Sequence, residues 1–205
     1  MALKNLSYGN HISLLKRNMV FDNLGEACLE ELRDLYRVNE FKKNQIIESV
    51  HSTPKDVHFI ISGGIKRVLK KSKTREHIFD ISYPDSLDCF YIEWLSKVSS
   101  STNLASISND TLVISISLAD WEQILSRHPQ LREKFIAYLF AKHQKIENRL
   151  ITQLLSISSE ERYHTAIKDF PKLKWELTKK EIGSYIGVAP ETISRLLSQT
   201  LSKII

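Results

Sequence analysis

The stretch 177–202 constrains the fold more than any other part of this sequence, because it has the pattern of two short helices joined by a tight turn. Thr178 and Glu181 have capping-box spacing, in which each side chain bonds the backbone N–H of the other residue at a helix start. Gly187 tolerates the left-handed conformation that ends many helices, and Pro190 suits the first turn of a new helix. The spacing therefore predicts a helix-turn-helix.

The second predicted helix has an apolar side and a polar side. Residues that would hold it against the first helix recur at helical spacing, namely Ile182, Gly183, Ile186, Val188, Ile193, Leu196 and Leu197. The residues left outside are Ala189, Pro190, Glu191, Thr192, Ser194, Arg195 and Gln199. Arginine pairs bidentately with guanine and glutamate accepts from the cytosine amino group, so Glu191 and Arg195 are candidate base readers. Thr178, Lys179 and Ser194 are candidate phosphate contacts. An ordinary helical hairpin with solvated charges is the alternative.

The segment G-V-A-P-E-T-I-S-R at 187–195 resembles the recognition helix of the Crp/Fnr family of bacterial transcription regulators. The resemblance implies that Glu191 and Arg195 read bases in a major groove. The S-x-E-E-R-Y pattern at 158–163, followed by an F-P break, is similar to a subgroup of small members whose chains end soon after this helix. Many other relatives add a β-hairpin wing there, and since this sequence ends at Ile205, we expect no wing.

Net charge gives only weak support to a nucleic-acid partner. The 205 residues carry a net charge of +5. Residues 158–205 hold eight Lys and Arg against six Asp and Glu, a net charge of only +2. The DNA hypothesis therefore depends on where side chains are placed and not on total charge.

Several other function classes lack their sequence signatures. No G-x-S-x-G, H-E-x-x-H or P-loop motif occurs, so we expect no enzyme. No apolar run reaches the length of a membrane span, and the N-terminus lacks a signal-peptide core. The two cysteines, Cys28 and Cys89, form no C-x-x-C pair, which suits a reducing cytoplasm and neither a zinc nor an iron–sulfur site. We therefore predict a cytoplasmic protein without cofactors or a membrane partner.

The first half of the sequence has the pattern of a small β-structure. A short amphipathic helix is predicted from apolar residues at 28, 29, 32 and 35, and strands are predicted at 38–47, 57–61, 65–69, 78–82 and 112–116. Such short strands at roughly ten-residue spacing favour an antiparallel barrel or jelly roll. Its predicted core consists of Phe41, Ile46, Phe59, Ile61, Ile65, Val68, Ile78, Ile81, Leu104, Ile107, Val113 and Ile114. The segment V-H-F-I-I-S-G-G-I-K-R-V at 57–68, with a glycine turn, resembles the hairpin of the cyclic-nucleotide-binding β-roll.

The resemblance also implies an effector pocket, but the residues that usually bind the cyclic nucleotide are missing from this sequence. Cyclic-nucleotide binders of this fold hold the ribose with Gly-Glu and the phosphate with Arg followed by Ser or Thr. Here Asp88-Cys89 and Ser101-Thr102 stand at those places, with Asn103 next to them, and no Lys or Arg occurs from 98 to 118. An anion in a partly dry pocket needs a cation, so we predict no ordinary cyclic-AMP binding. His51, His58 and His77 lack ligand spacing, and we expect no metal site.

A long amphipathic helix is predicted for 129–155. Its apolar stripe consists of Leu131, Phe135, Tyr138, Leu139, Ile146, Leu150 and Leu154. In the family the corresponding helix pairs with its twin through a coiled-coil-like seam, so the resemblance implies a homodimer. A helix packed only within its own chain is the alternative.

Together these features predict an α+β protein with three parts: a β-roll effector-type domain with flanking helices (1–128), a dimerisation helix and hinge (129–157), and a helix-turn-helix DNA-binding domain (158–205). We predict a dimeric, sequence-specific transcription regulator that reads a two-fold site in double-stranded DNA. An unidentified small molecule and RNA polymerase are further candidate partners. The alternative is a ligand-sensing dimer whose helix-turn-helix contacts another protein.

Overall fold

The computed structural model describes residues 13–70, 76–155 and 158–202, without the side chains of 70 and 199–202. The helices are α1 Glu26–Leu35, α2 Tyr91–Leu95, α3 Leu118–Arg127, α4 Pro129–Leu154, α5 Ser159–Asp169, α6 Leu173–Glu176, α7 Lys179–Ile186 and α8 Pro190–Ser202. The strands are β1 Arg37–Phe41, β2 Ile46–Glu48, β3 Asp56–Ser62, β4 Ile65–Lys70, β5 Glu76–Ser82, β6 Leu87–Cys89, β7 Asn103–Ser106 and β8 Thr111–Ser117. Two compact units result, one from 1–66 with 81–141 and one from 67–80 with 142–205.

The eight strands in the described part of the chain form two four-stranded sheets, which confirms the predicted roll. Their orders are β1-β8-β3-β6 and β2-β7-β4-β5, and β3 pairs antiparallel with both β8 and β6. The predicted glycine turn lies between β3 and β4, where Gly63 has φ 70° and a Cβ would lie 2.4 Å from Ser108 Oγ. Only glycine fits there without strain.

Alternate residues of the central strands face two separate cores. Val57 and Phe59 of β3 belong to a core that also includes buried residues of α1, α3 and α4, and within it the ring centroids of Trp121 and Phe135 are 5.2 Å apart. Ile60 of β3 belongs to a smaller core with Ile65, Phe90, Leu104 and Val113. The first core covers one face of the sheet with helices, and the second fills the roll.

Most of the predicted core is confirmed, with one error. Phe59, Ile65, Val68, Ile78, Ile81, Leu104, Ile107, Val113 and Ile114 are buried, while Phe41 and Ile61 are half-buried. Ile46 is 46% exposed, so its place in the predicted core is wrong. The predicted strand 38–47 is in fact β1 and β2, separated by a turn in which the Gln45 N–H donates to Lys42 O at 3.0 Å. The break changes which side chains face inward.

Helix α4 has 26 residues, and the predicted dimer stripe lies largely on a face that its own chain covers. Leu131 and Phe135 are fully buried, and the Tyr138 hydroxyl accepts from Leu87 N at 2.9 Å. The stripe residues that are buried or half-buried in this way are Leu131, Phe135, Tyr138, Leu139 and Ile146. Leu131 and Phe135 therefore have no surface left for a partner helix, while pairing through the half-buried Tyr138 and Leu139 stays a prediction. Helical spacing identifies an apolar face, but it does not identify what covers that face.

The second unit contains the C-terminal half of α4, the helices α5 to α8 and residues 67–80. Helix α5 begins with a capping box formed by Ser158 and Glu161. The short helix α6 was not predicted. Buried apolar residues of this unit are Tyr163, Ala166, Leu173, Leu177, Ile182, Tyr185, Ile186, Ile193 and Leu196. None of the described helices is long and apolar enough to cross a lipid bilayer.

Candidate nucleic-acid interface

The first helix of the predicted pair, α7, begins with a complete capping box. Thr178 Oγ1 accepts from Glu181 N at 3.2 Å, and the Glu181 carboxylate accepts from Thr178 N at 2.8 Å. The Thr178 hydroxyl also donates to the same carboxylate at 2.8 Å. The Thr178 side chain thus starts the helix, and its predicted phosphate contact stays a prediction.

The turn between α7 and α8 is built on two glycines. Gly187 ends α7 with φ 72° and ψ 41°, the left-handed conformation predicted for it. Val188 N then donates to Gly183 O at 2.9 Å. A Cβ on Gly183 would lie 2.5 Å from Val188 O, so the small residue at 183 allows the turn to approach the helix closely.

Three side chains satisfy the carbonyl groups that the end of α7 leaves unpaired. Tyr185 O accepts from Arg149 Nη1 at 2.6 Å and from Gln153 Nε2 at 2.9 Å, and Gly187 O accepts from Arg162 Nη1 at 3.3 Å. The Arg149 guanidinium also lies 4.4 Å from the centroid of the Tyr185 ring, and burial raises the pKa of that tyrosine. Arginines at a helix C-terminus also interact favourably with its dipole.

Strand β5 contacts α7 as well, an arrangement that no sequence pattern indicated. Ser184 Oγ accepts from Ile78 N at 2.9 Å and donates to Glu76 O at 3.3 Å. The second guanidinium nitrogen of Arg149 donates to Phe79 O. These bonds fix α7 within the second unit from a strand about a hundred residues earlier in the chain. Arg149 therefore has a structural role inside its own chain.

Helix α8 presents the predicted polar side outward. Ile193 is fully buried and Leu196 is 5% exposed, so these two residues hold the helix against the unit. Glu191 and Arg195 are exposed and lie four residues apart, on one face of the helix. Lys179 Nζ of α7 donates to Ser194 Oγ at 2.7 Å, which brings a cation next to the same surface. The exposed surface thus combines a candidate base-reading pair with an adjacent lysine.

The remaining predicted interface residues surround this pair. Ala189 and Pro190 are exposed at the start of α8, and Thr192 and Ser194 are half-buried. The side chain of Gln199 lies outside the described part of the chain. The start of a helix carries unpaired N–H groups, so 189–192 offers backbone donors beside the two charged side chains.

The candidate effector residues lie on both sheets of the roll. Asp88 and Cys89 are buried on β6, where Asp88 accepts from Ser82 Oγ at 2.9 Å. Thr102 and Asn103 are buried at the start of β7, and Ser101 is exposed. Asn103 Oδ1 accepts from Val50 N at 2.6 Å. The nearest cation along the chain, Lys97, lies 4.7 Å from the ring centroid of Trp94. These bonds serve the protein's own backbone and side chains.

Comparison with known proteins identifies the domain in which these helices lie. Residues 148–200 match the Crp-like helix-turn-helix domain family. The anaerobic regulatory protein of Haemophilus influenzae is 23% identical over 188 residues, which cover 86% of this chain and 72% of that protein. FixK2 from Bradyrhizobium japonicum has a TM-score of 0.70 at 18% identity, with 83% of this chain and 87% of that chain covered. The c-di-GMP-responsive global regulator CLP of Xanthomonas campestris has a TM-score of 0.68 at 12% identity, with 87% and 93% covered.

Residues 148–200 therefore belong to a Crp-like helix-turn-helix domain, and the chain as a whole is similar to transcription regulators of the Crp/Fnr type. The fold predicted from the sequence, a β-roll followed by a long helix and a helix-turn-helix, is confirmed. The proteins it matches are regulators, and the prediction that it is not an enzyme agrees with them.

Proposed function

We propose that the chain acts as a homodimer that places α8 of each subunit in successive major grooves of a two-fold DNA site, about 34 Å apart. The observation that carries the proposal is the two-sided character of α8. Its apolar side, with Ile193 and Leu196, is buried, and its other side holds Glu191 and Arg195 in solvent. A helix fixed in this way can enter a groove without rearranging its own support.

The exposed side chains have distinct proposed roles. Arg195 pairs with a guanine, and Glu191 accepts from a cytosine amino group one turn nearer the start of the helix. Lys179 and Ser194, which already share a hydrogen bond of 2.7 Å, contact the phosphate backbone. The N–H groups at 189–192 supply further phosphate contacts, because a helix start favours anions.

A second apolar face on α4 supports the proposed dimer. Its exposed apolar residues are Ile136 (40%), Phe140 (72%), Leu150 (36%), Ile151 (42%) and Leu154 (82%). At 3.6 residues per turn these positions lie within about 100° of one another around the helix. The stripe adjoins the face that its own chain buries, and Leu150 and Leu154 belong also to the stripe predicted from sequence. We propose that this exposed stripe pairs with its twin.

We also propose that regulation does not depend on cyclic AMP. No Lys or Arg occurs from 98 to 118, and the polar atoms of Asp88 and Asn103 already bond within the roll. A cyclic phosphate would therefore be buried without its cation. Isothermal titration should detect no micromolar binding of cyclic AMP, and such binding would overturn this part of the proposal.

The proposal keeps the three-part division at 128 and 157 into an effector domain, a dimerisation helix and a DNA-reading domain.

Selection of bound sequences from a random DNA pool tests the reading function. We expect enrichment of a two-fold sequence, with Arg195→Ala weakening that site by about 1–3 kcal/mol and relaxing one base pair in each half-site. Lys179→Ala should weaken all sequences alike and reduce the salt dependence of binding. Lys168→Ala, which removes an exposed cation from α5, controls for loss of charge alone.

The same experiment separates the two candidate functions. A protein-contact role for α8 predicts that no sequence is enriched and that both variants bind random DNA as the parent does. If Arg195→Ala and Lys179→Ala lose the same affinity on every sequence, the chain binds DNA but Arg195 does not read bases.

A further inference from the structure

Three side chains with metal-binding donor atoms meet inside the β-roll, away from the helix-turn-helix. His58 on β3, Glu48 on β2 and Asp56 at the start of β3 each offer one ligand atom, and these atoms lie within 4.8 Å of one another. His58 is 2% exposed and Glu48 is 6% exposed, while Asp56 is half-buried. The proposed reading of DNA uses none of the three.

Strand geometry explains why these residues converge. Asp56 and His58 are two positions apart on β3, so both point to the side of Ile60, which packs in the core inside the roll. Glu48 Oε1 accepts from the backbone N–H of Asp56 at 3.0 Å. The same oxygen lies 3.2 Å from His58 Nε2. The backbone of β3 thus holds the Glu48 carboxylate beside the imidazole.

The second oxygen of this carboxylate marks the cluster as incomplete. Glu48 Oε2 is buried and has no hydrogen-bond partner within the described ranges. A buried anion without full compensation is costly. Arg37 lies nearby, but it pairs with Asp56 Oδ1 at 2.6 Å. The free oxygen, Oε2, thus belongs to the same carboxylate whose Oε1 lies 3.2 Å from His58 Nε2.

We propose that Glu48, Asp56 and His58 bind one divalent first-row transition cation, for which Zn²⁺ is the probe. Ligand atoms bound at about 2.0–2.1 Å in tetrahedral geometry lie about 3.3 Å apart, close to the 3.2 Å between Glu48 Oε1 and His58 Nε2. One nitrogen and two carboxylate oxygens suit Zn²⁺, Mn²⁺ or Fe²⁺ better than Mg²⁺ or Ca²⁺, which prefer oxygen ligands alone. The fourth position is left for water.

Neighbouring groups orient the proposed ligands. Ser115 Oγ lies 2.9 Å from His58 Nδ1, so it accepts the Nδ1–H of the tautomer whose Nε2 faces the ion. The same oxygen accepts from Asn39 Nδ2 at 3.1 Å. Arg37 orients the Asp56 carboxylate in the same way. Such outer partners are a regular feature of metal sites with histidine and carboxylate ligands.

The competing arrangement is a histidine–carboxylate pair without metal. There the Ser115 hydroxyl donates to Nδ1, and the opposite tautomer donates from Nε2 to Glu48 Oε1. Glu48 Oε2 still lacks a donor in that arrangement. A metal titration distinguishes the two, because only the proposed site takes up a stoichiometric ion.

The test uses the full chain, stripped with EDTA and dialysed free of chelator. Zn²⁺ uptake is measured by equilibrium dialysis with elemental analysis, and affinity is measured by isothermal titration, with Mg²⁺ as the comparison ion. We expect one equivalent of Zn²⁺ and no saturable Mg²⁺ binding. Glu48→Gln and Asp56→Asn should each weaken Zn²⁺ binding at least about tenfold. His51→Gln, which changes an exposed histidine in the same unit, should bind as the parent does.

Two controls keep the result decisive. Far-UV circular dichroism of the metal-free variants shows whether each one folds. If Glu48→Gln does not fold, Asp56→Asn alone serves as the test variant. Co²⁺ in place of Zn²⁺ should give visible absorption bands in the parent that are absent in Asp56→Asn. The absence of stoichiometric uptake, or uptake that Asp56→Asn leaves unchanged, overturns the site. Neither measurement uses DNA, so failure here is independent of the proposed reading function.

Discussion

Two known effects of opposite sign determine how Gly183→Ala changes the stability of the second unit. Alanine in place of glycine inside a helix favours the helix by about 1 kcal/mol. The added Cβ, however, would lie 2.5 Å from Val188 O, whereas real Cβ contacts essentially never fall below 3.0 Å. The turn would have to move by at least about 0.5 Å, and Val188 N is itself bonded to Gly183 O at 2.9 Å.

The clash should exceed the gain in helix propensity. Overpacking of this kind costs about 1–3 kcal/mol, and a strained or lost Val188–Gly183 hydrogen bond costs about 1 kcal/mol more. After the gain in propensity is subtracted, we expect Gly183→Ala to destabilise the second unit by about 1–3 kcal/mol. Denaturant unfolding measures the total, and hydrogen exchange of peptides from α7 and α8 shows where protection is lost.

A matched pair of variants calibrates the propensity within the same helix. Lys180 is exposed in the first turn of α7, so the difference between Lys180→Gly and Lys180→Ala reports the glycine–alanine difference there without a clash. We expect Lys180→Ala to lie within about 0.5 kcal/mol of the parent. If Gly183→Ala is more stable than the parent by the amount that this pair measures, the close approach inferred for the turn is wrong.

Two further predictions concern Arg149 and Cys28. Arg149→Ala should destabilise the second unit by about 2–3 kcal/mol, because Tyr185 O and Phe79 O each lose a charged donor. Arg149→Lys should recover only part of this stability, since one ammonium group cannot reproduce the planar guanidinium fork. Full recovery of stability in denaturant unfolding of Arg149→Lys would contradict the bridging role of Arg149. Burial raises the pKa of the Cys28 thiol from 9.0 to about 11, with Glu31 adding to the effect, so at pH 8 its alkylation in the native protein should be at least about a hundredfold slower than in the unfolded chain. Because the folded state keeps this proton while the unfolded chain releases it near pH 9.0, stability should fall as pH rises from about 9 to 11, and Cys28→Ala should remove that part of the pH dependence.

The parts of the fold that the sequence predicted are those determined by neighbouring residues. Thr178 with Glu181 needs only a three-residue separation to form its capping box, and Gly187 needs only its own left-handed backbone. Ser117, which caps α3 by accepting from Asp120 N at 3.1 Å, likewise needs only a three-residue separation. Local hydrogen bonds leave a direct signature in the residue types.

The parts that the sequence did not predict depend on distant residues or weak turn signals. Ser184 meets Ile78 across 106 positions of sequence, and no pattern in either segment indicates the other. The β1–β2 turn contains Asn44 with φ 62°, but it has neither glycine nor proline, so two short strands resembled one long strand. Strand β7, with the sequence N-L-A-S, lacks the β-branched and aromatic residues by which strands are recognised.

Spacing rules could not identify the candidate metal ligands either. His58 and Glu48 come from different sheets and have no ligand motif between them. Their proximity follows from the packing of the roll and from the backbone N–H groups of Lys55 and Asp56, at the start of β3, which hold the Glu48 carboxylate. A buried acid and a buried histidine in strand segments were the only available signals, and such residues are usually satisfied within the core.

The exposed stripe on α4 gives a direct test of the dimer. Phe140 is 72% exposed, and burial of a phenylalanine side chain stabilises by about 1.5–3 kcal/mol. A two-fold seam buries the residue twice, so Phe140→Asp should weaken self-association by about 3–6 kcal/mol, or at least about a hundredfold in dissociation constant. Sedimentation equilibrium should show the parent at twice the 23.7 kDa mass of one chain and the variant shifted towards that of the monomer.

Asn148→Asp is the matched control for this experiment. Asn148 is exposed on the same helix but lies about 110° from the centre of the stripe at 3.6 residues per turn. It therefore introduces the same negative charge away from the seam, and the dimer should persist. Leu131 and Phe135 make no suitable targets, because they are fully buried in the first unit and their loss would unfold the chain whether or not it dimerises. A parent that stays monomeric at tens of micromolar, or a Phe140→Asp dimer as tight as the parent, would show that α4 is not the seam and that a two-fold reading of DNA must be assembled by another surface.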